Sequence, residues 1–285
     1  MPYCLQPAEL SALAELNEAQ AYESLLGQAA LAGFQVGRDG PMRLLRSPAL
    51  PSMVLLNRVL GWGQADVANP QALERLLAAY GGAGFGIELP APAATADALA
   101  LLRAQGFRRI GAVNVLARDA RDPPARYREW AEGTGLRIER AQPHQVDDLA
   151  GLLAETFELP PSVRELLVRG TAGAAWRRWV VLDGELLVGG SLSHVHHDIA
   201  WFGWTAVRAS HRGRWVPTGI LARQLEEAAE AGCRYVTTET ALSTRQRPDA
   251  AYLNIKRFGF RDGYVRWSFV KAPARGRNPA LAAAP

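Results

Sequence analysis

The stretch from Trp204 to Phe260 constrains the fold more than any other part of this chain. It reads as a strand, a tight basic turn, an amphipathic helix, a second strand, a loop, a second helix and then Gly259-Phe260. Ile220, Leu221, Leu225 and Ala228-Ala229 recur at helical spacing, with Glu226 and Glu227 on the other side. Gly232 ends that helix, and the following Cys233-Arg234-Tyr235-Val236-Thr237-Thr238 is rich in strand formers. Two parallel strands joined through a helix form a βαβ unit, and the turn that opens such a helix can hold an anion.

That turn is His211-Arg212-Gly213-Arg214. It offers backbone N–H groups, the positive end of a helix and two guanidinium groups, a combination that suits a pyrophosphate. Two arginines beside a glycine are equally compatible with a plain solvated loop, so the turn alone leaves the choice open.

The whole stretch resembles the acyl-CoA-binding core of the GNAT superfamily of acyltransferases. That pattern has a strand, an Arg-Gly-x-Gly-x-Gly/Ala turn on a helix, a second strand, and a last helix ending in Gly-Phe. Arg212-Gly213-Arg214 and Gly259-Phe260 match it. The resemblance is closer still to a bacterial subfamily of tandem GNAT proteins, through His211 to Trp215, Glu239-Thr240, and Asn254, Arg257, Gly259 and Phe260. It implies two α/β (α+β) domains in tandem, each a mixed, mostly antiparallel sheet flanked by helices. It also implies transfer of an acetyl or other acyl group from acyl-CoA directly to an amine of a small molecule. The cofactor-binding residues it implies are Ala206 and Val207 for the pantetheine arm, and Arg212, Gly213, Arg214, Trp215, Val216, Thr218 and Asn254 around the turn. The amides of Gly213 to Val216 and of Thr218 are expected to be available to an anion.

The sequence also departs from the pattern. Trp215 and Pro217 stand where the two later turn glycines would be; tryptophan adds bulk, and proline has no N–H to give. Ile255 occupies the position of a tyrosine that acts as general acid in many GNAT enzymes, and Tyr252 lies one helical turn away. These three positions support the alternative reading. It is either a GNAT-fold enzyme that has given up CoA and catalyses a rearrangement, cyclisation or elimination in an aromatic cleft, or a non-catalytic small-molecule-binding protein.

Amine acylation needs a neutral amine and hence a base. Glu239, at the end of the second core strand, is the candidate base, and Tyr252 the candidate acid. A salt bridge from Glu239 to Arg234, Arg245 or Arg247 is the structural alternative. His194 and His196 share a strand face while His197 points away. They are candidate substrate-pocket residues with Trp204, although histidines at a hairpin end need no function. No local Cys or Glu completes a metal set, so no metal is expected. Trp201, Trp204, Trp215 and Trp267 fall in or near the core stretch; an aromatic pocket there would favour an aromatic or cationic acceptor.

Upstream, the pattern predicts a helix from residue 7 to about 33, strand material between Phe34 and Arg46, and a buried strand over Ser52–Leu60. A helix from Pro70 to about Tyr80, a strand Phe85–Leu89, a helix Thr95–Gln105, Gly106-Phe107 and a strand Val113–Ala117 follow. This repeats the order of the second half and suggests an internal duplication. Asn57-Arg58-Val59-Leu60-Gly61 matches a segment of the subfamily's degenerate first half. The expected domains are 1–120, degenerate; 121–135, a polar linker with Pro123-Pro124; 136–271, carrying the site; and a disordered tail, 272–285. In the second domain, strands Trp179–Leu182 and Leu186–Val195 meet at Asp183-Gly184, a hairpin signal.

The chain's 285 residues, 48% hydrophobic and 21% charged, describe an ordinary globular protein. Its +4 charge is scattered, with no basic run interleaved with aromatics, so nucleic acid is not expected as a partner. The N-terminus lacks a signal-like pattern and no apolar run reaches membrane length, which gives a cytoplasmic expectation. Two distant cysteines, Cys4 and Cys233, imply no disulfide framework. The family's habit makes a homodimer a reasonable expectation.

Overall fold

A computed structural model of the chain describes residues 7–28, 33–64, 68–121 and 127–273. In chain order the elements are helix α1 (Pro7–Gln28), strands β1 (Gln35–Asp39), β2 (Met42–Arg46) and β3 (Arg58–Leu60), helix α2 (Pro70–Tyr80), strand β4 (Phe85–Pro90), helix α3 (Ala96–Ala104) and strand β5 (Arg108–Asp119). Then come helix α4 (Tyr127–Thr134), strand β6 (Arg137–Arg140), helices α5 (Val146–Thr156) and α6 (Pro161–Gly170), and strands β7 (Trp176–Asp183), β8 (Leu186–His196) and β9 (Ile199–Val207). Helix α7 (Val216–Glu230), strand β10 (Tyr235–Ala241), helix α8 (Ala250–Arg257) and strand β11 (Arg261–Lys271) complete the chain.

The chain divides into two compact units, but not along the sequential halves 1–120 and 136–271. One unit combines α1 with Val113–Val265; the other combines Gly33–Ala112 with the chain from Arg266. Each unit completes its sheet with the last strand of the other half of the sequence. In the first, β5 lies antiparallel to β10, with Asp119 opposite Tyr235 and Val113 opposite Ala241. In the second, the end of β11 lies antiparallel to β4, with Arg266 opposite Pro90 and Lys271 opposite Phe85. A boundary read from linker composition cannot register this exchange, because β5 and β11 each begin in one unit and end in the other.

The first unit's sheet runs β5-β10-β9-β8-β7-β6, all antiparallel except β9 and β10. One face is covered by α7 and α8, through a core of Ala200, Phe202, Leu221, Leu225, Val236, Phe258 and Phe260. Toward β6 the same helix packs Val216 and Ile220 on Trp179, Val181 and Val188, with Trp130 of α4 alongside. The opposite face carries α1 and α5: Asn17 donates to Thr237 of β10 at 2.8 Å, and a Cβ on Gly190 of β8 would stand 2.3 Å from Leu149 of α5.

The second unit's sheet runs β1-β2-β3-β4-β11, with β3 and β4 parallel. Thus β3-α2-β4 repeats the order of β9-α7-β10, and each is followed by a helix, Gly-Phe and a strand. Asn69 caps α2 by accepting from the Ala72 amide at 2.9 Å, and left-handed Gly81 ends it. Arg58 of the Asn-Arg-Val segment is buried and pairs with Glu88 at 3.3 Å.

Several expected elements change on folding. Ser52–Leu60 is not one strand: Val54–Leu56 forms a 3-10 turn and only Arg58–Leu60 pairs. The Asn57 side chain explains this, accepting from the Ser47 amide and donating to the carbonyls of Leu50 and Met53, which folds the chain on itself. The last strand of the first half is longer than expected, starting at Arg108. Half of the expected linker is helix α4; its Pro123-Pro124 lies outside the described residues, as do Cys4 and most of the expected tail. No helix among the described residues is long and apolar enough to cross a membrane.

Candidate functional site

Strands β9 and β10 pair for only four residues, from Ile199 opposite Tyr235 to Phe202 opposite Thr238. The Thr238 hydroxyl closes this ladder by donating to the Phe202 carbonyl at 2.8 Å. Beyond it both strands continue, β9 to Val207 and β10 to Ala241, without pairing to each other. A split therefore opens between Gly203–Val207 and Glu239–Ala241.

The split has a mechanical cause on the other edge of β9. Against β8 the register slips, with Gly190 opposite Ala206 but Leu192 opposite Gly203. The extra residue is a β-bulge, which bends a strand away from its course. Trp204 takes it up with a left-handed backbone, φ 53°. Ser191 fixes the bulge: its hydroxyl donates to the Gly203 carbonyl at 3.1 Å, lies 2.9 Å from the Thr205 hydroxyl and accepts from Gln224 of α7 at 3.1 Å. Ala206 and Val207 thus lie on a strand edge facing the split.

At the end of β9 the chain makes a 3-10 turn, Ala209–His211, and enters the basic turn. Gly213 is left-handed (φ 81°), and so is Trp215 (φ 59°), the residue just before α7. The amides of Gly213, Trp215 and Val216 make no hydrogen bond among the described residues. Two other amides expected to be available are engaged: Arg214 donates to the His211 carbonyl at 3.4 Å, and Thr218 to the Trp215 carbonyl at 3.0 Å. Pro217 sits in the first helical turn, where a missing N–H costs little.

The two arginines differ. Arg214 is held by Asp183 at 2.9 Å, and His211 reaches the same carboxylate oxygen at 3.1 Å. The hydrogen bond from His211, then that from Arg214, holds the Asp183 carboxyl below the ordinary range. Arg212 is exposed and makes no side-chain hydrogen bond or ion pair among the described residues. The turn therefore presents the uncommitted amides of exposed Gly213 and Trp215, one uncommitted guanidinium and one braced guanidinium, while Val216, expected to offer its amide as well, is fully buried. Such a turn could hold an anionic diphosphate, and the split leaves a strand edge along which an extended chain could lie.

No protein-family model matches the sequence, and no curated protein matches it. Solved structures do match. A GCN5-related N-acetyltransferase from Sphaerobacter thermophilus is 17% identical, with a TM-score of 0.58 over 95% of each chain. A GCN5-related N-acetyltransferase from Kribbella flavida is 15% identical, with a TM-score of 0.57 over 92% of this chain and 97% of that one. A tandem GNAT protein from the clavulanic acid biosynthesis pathway is 17% identical, with a TM-score of 0.53 over 91% and 96%. The chain has the GNAT fold.

Within this GNAT fold, Glu239 stands opposite Val115 of β5 and shares its sheet face with Thr237, the α1 side. Trp204 meets Phe157, just past the end of α5, edge to face at 5.4 Å, which puts its ring on the α5 side of the same sheet. Phe157 is exposed and Trp204 half-buried. Thr218 and Asn254 are brought together: the Thr218 hydroxyl donates to the Asn254 carbonyl at 2.9 Å, tying α8 to the first turn of α7. Tyr252 and Ile255 do share a face against the α7–α8 core, but the Tyr252 hydroxyl donates to Asp262 at 2.8 Å. That hydrogen bond is the main cause of the phenol's raised pKa.

The histidines sit at the β8–β9 hairpin end. His194 is buried between Trp176 of β7 and Trp201 of β9, and burial pushes its pKa down to about 4. His196 lies parallel to it at 6.3 Å, and left-handed His197 forms the turn. Among the described residues no three of His, Cys, Asp and Glu gather into a metal-binding group. Trp201 is core, and Trp267 belongs to the other unit. Sequence reasoning missed Ser191, Gln224, Asp183, Phe157 and Trp130. Gln224 alone carried a signal, as a polar residue on the buried side of α7.

Proposed function

We propose that this protein transfers an acyl group, most simply acetyl, from acyl-CoA to an amine of a small molecule. The observation that carries this reading is the split between β9 and β10 beside the uncommitted amides of Gly213 and Trp215 and Arg212 of the α7 turn. Arg212, braced Arg214 and the amides of Gly213 and Trp215 bind the diphosphate. The edge of β9 at Ala206-Val207 aligns the pantetheine arm, with Thr218 and Asn254 closing the helix end. When bound, acyl-CoA supplies an activated thioester carbonyl.

Glu239 takes the proton from the acceptor ammonium, directly or through a water, so that the neutral amine can attack. The C–N bond forms as the C–S bond breaks, and no covalent bond to the protein is needed. Tyr252 is the candidate proton donor to the departing thiolate, and it must first let go of Asp262. The Trp204–Phe157 pair, on the same sheet face as Glu239, forms an aromatic wall for the acceptor and favours an aromatic or cationic body. His194 is buried in the hairpin-end packing, and His196 beside it is half-buried; neither is given a role in this reading.

The second reading is a GNAT-fold enzyme or binding protein without CoA. Pro217 and the committed amides of Arg214 and Thr218 favour it, since they leave fewer donors than an all-glycine turn. Thiol release from acetyl-CoA with a panel of amines, aromatic amines included, tests the first reading. Amine-dependent thiol release that Glu239→Gln removes supports it. Absence of turnover with every amine, together with absence of acetyl-CoA binding, favours the second.

A further inference from the structure

Trp215 is a bulky residue in a backbone conformation that glycine adopts freely. Its φ of 59° is strained for an L-residue, and the residue is 61% exposed, so side-chain packing does not hold it there. The restraint comes from its carbonyl. That oxygen accepts from the amides of Thr218 and Gly219, at 3.0 and 3.2 Å, and from the indole Nε1 of Trp130 at 2.9 Å. Trp130 is 7% exposed, and its ring lies directly on Gly219, where an added Cβ would come within 2.3 Å of it. Helix α4 thus grips both the residue before α7 and the first turn of α7.

We propose that Trp130 is a positioning residue for the acyl-CoA diphosphate: its indole N–H holds Trp215 left-handed, which keeps the uncommitted amide of exposed Trp215 in the turn without a glycine. This rests on the acyl-transfer reading of the same turn. It explains how a tryptophan can occupy a position whose backbone geometry calls for glycine.

The test is a double-mutant cycle read by calorimetry with acetyl-CoA and, separately, by urea unfolding without ligand. Trp130→Phe keeps a ring over Gly219 and removes only the N–H. In the Trp215 background it should weaken acetyl-CoA binding about fivefold to tenfold, or roughly 1 to 1.4 kcal/mol. In a Trp215→Gly background the same change should alter binding less than about twofold, since glycine needs no pin. A merely structural role for Trp130 would lower stability in both backgrounds and leave the dissociation constant of the folded protein unmoved. Equal effects in both backgrounds, or none in either, would overturn the proposal. Should the wild type not bind acetyl-CoA, the acyl-transfer reading fails on its own. The unfolding cycle then decides the pin, with coupling between the two positions upholding its hold on the turn and additivity overturning it.

Discussion

Acidification should destabilise the first unit through one buried imidazole. His194 is 2% exposed and stands directly opposite Trp176 on one side and Trp201 on the other, with its ring centroid 5.0 Å from that of Trp176. Burial, assisted by His196 and Arg177, pushes its pKa from the ordinary 6.5 down to about 4. The folded value is the lower one, so the unfolded chain takes up the proton first. The stability held by neutral His194 is fully present above about pH 6.5, is lost as the pH falls toward 4, and changes no further below that. A gap of this size corresponds to about 3 kcal/mol, most of it spent by about pH 4.5. Urea unfolding at about pH 7.5 and about pH 4.5 measures it, with His194→Phe as the reference, because phenylalanine keeps the aromatic face and cannot be protonated. Carboxylate titrations are common to both proteins and cancel. Wild type should lose about 2 to 3 kcal/mol more than the variant between the two pH values. Parallel losses would refute the argument that burial holds His194 neutral.

Three further substitutions probe the split and its support. Ser191→Ala removes the hydroxyl that joins Gly203, Thr205 and Gln224, and should cost about 1–3 kcal/mol in urea unfolding while weakening acetyl-CoA binding; unchanged binding would show that the bulge needs no such tie. Gly190→Ala places a Cβ 2.3 Å from Leu149 and 2.6 Å from the Trp179 carbonyl, and should destabilise by about 1–3 kcal/mol on the same assay. Glu239→Gln should lower kcat by about a hundredfold or more with little change in acetyl-CoA affinity; retained turnover across the pH range would assign the base elsewhere.

The order of most elements was readable because it rests on local pattern; α4 and the 3-10 turn at Val54–Leu56 were not. The spacing of Ile220, Leu221 and Leu225 defines α7, Gly232 ends it, and Asp183-Gly184 makes the hairpin. What local pattern cannot carry is partner choice. Nothing in Val113–Asp119 says that it pairs with β10, or in Arg266–Lys271 that it pairs with β4. Helix α1 reads as an ordinary amphipathic helix, and its packing with the second half depends on contacts such as Asn17 with Thr237. At the site, the basic turn was legible in the residues themselves, and the cause of the split was not. The bulge depends on a one-residue slip between β8 and β9, and slips leave no mark in a strand's alternation until the partner is known. Left-handed Trp204 and Trp215 were equally hidden, because tryptophan gives no expectation of positive φ. The grip of Trp130 shows only once α4 is folded against Gly219.

The central claim is that the turn of Arg212 to Val216 still holds the diphosphate of an acyl-CoA. Calorimetric titration of the purified protein with acetyl-CoA at moderate salt tests it most directly. The account predicts saturable binding in the micromolar range that Arg212→Ala weakens about tenfold, since this guanidinium is the one with no other partner among the described residues. No binding up to millimolar acetyl-CoA, or binding that Arg212→Ala leaves unchanged, would contradict it.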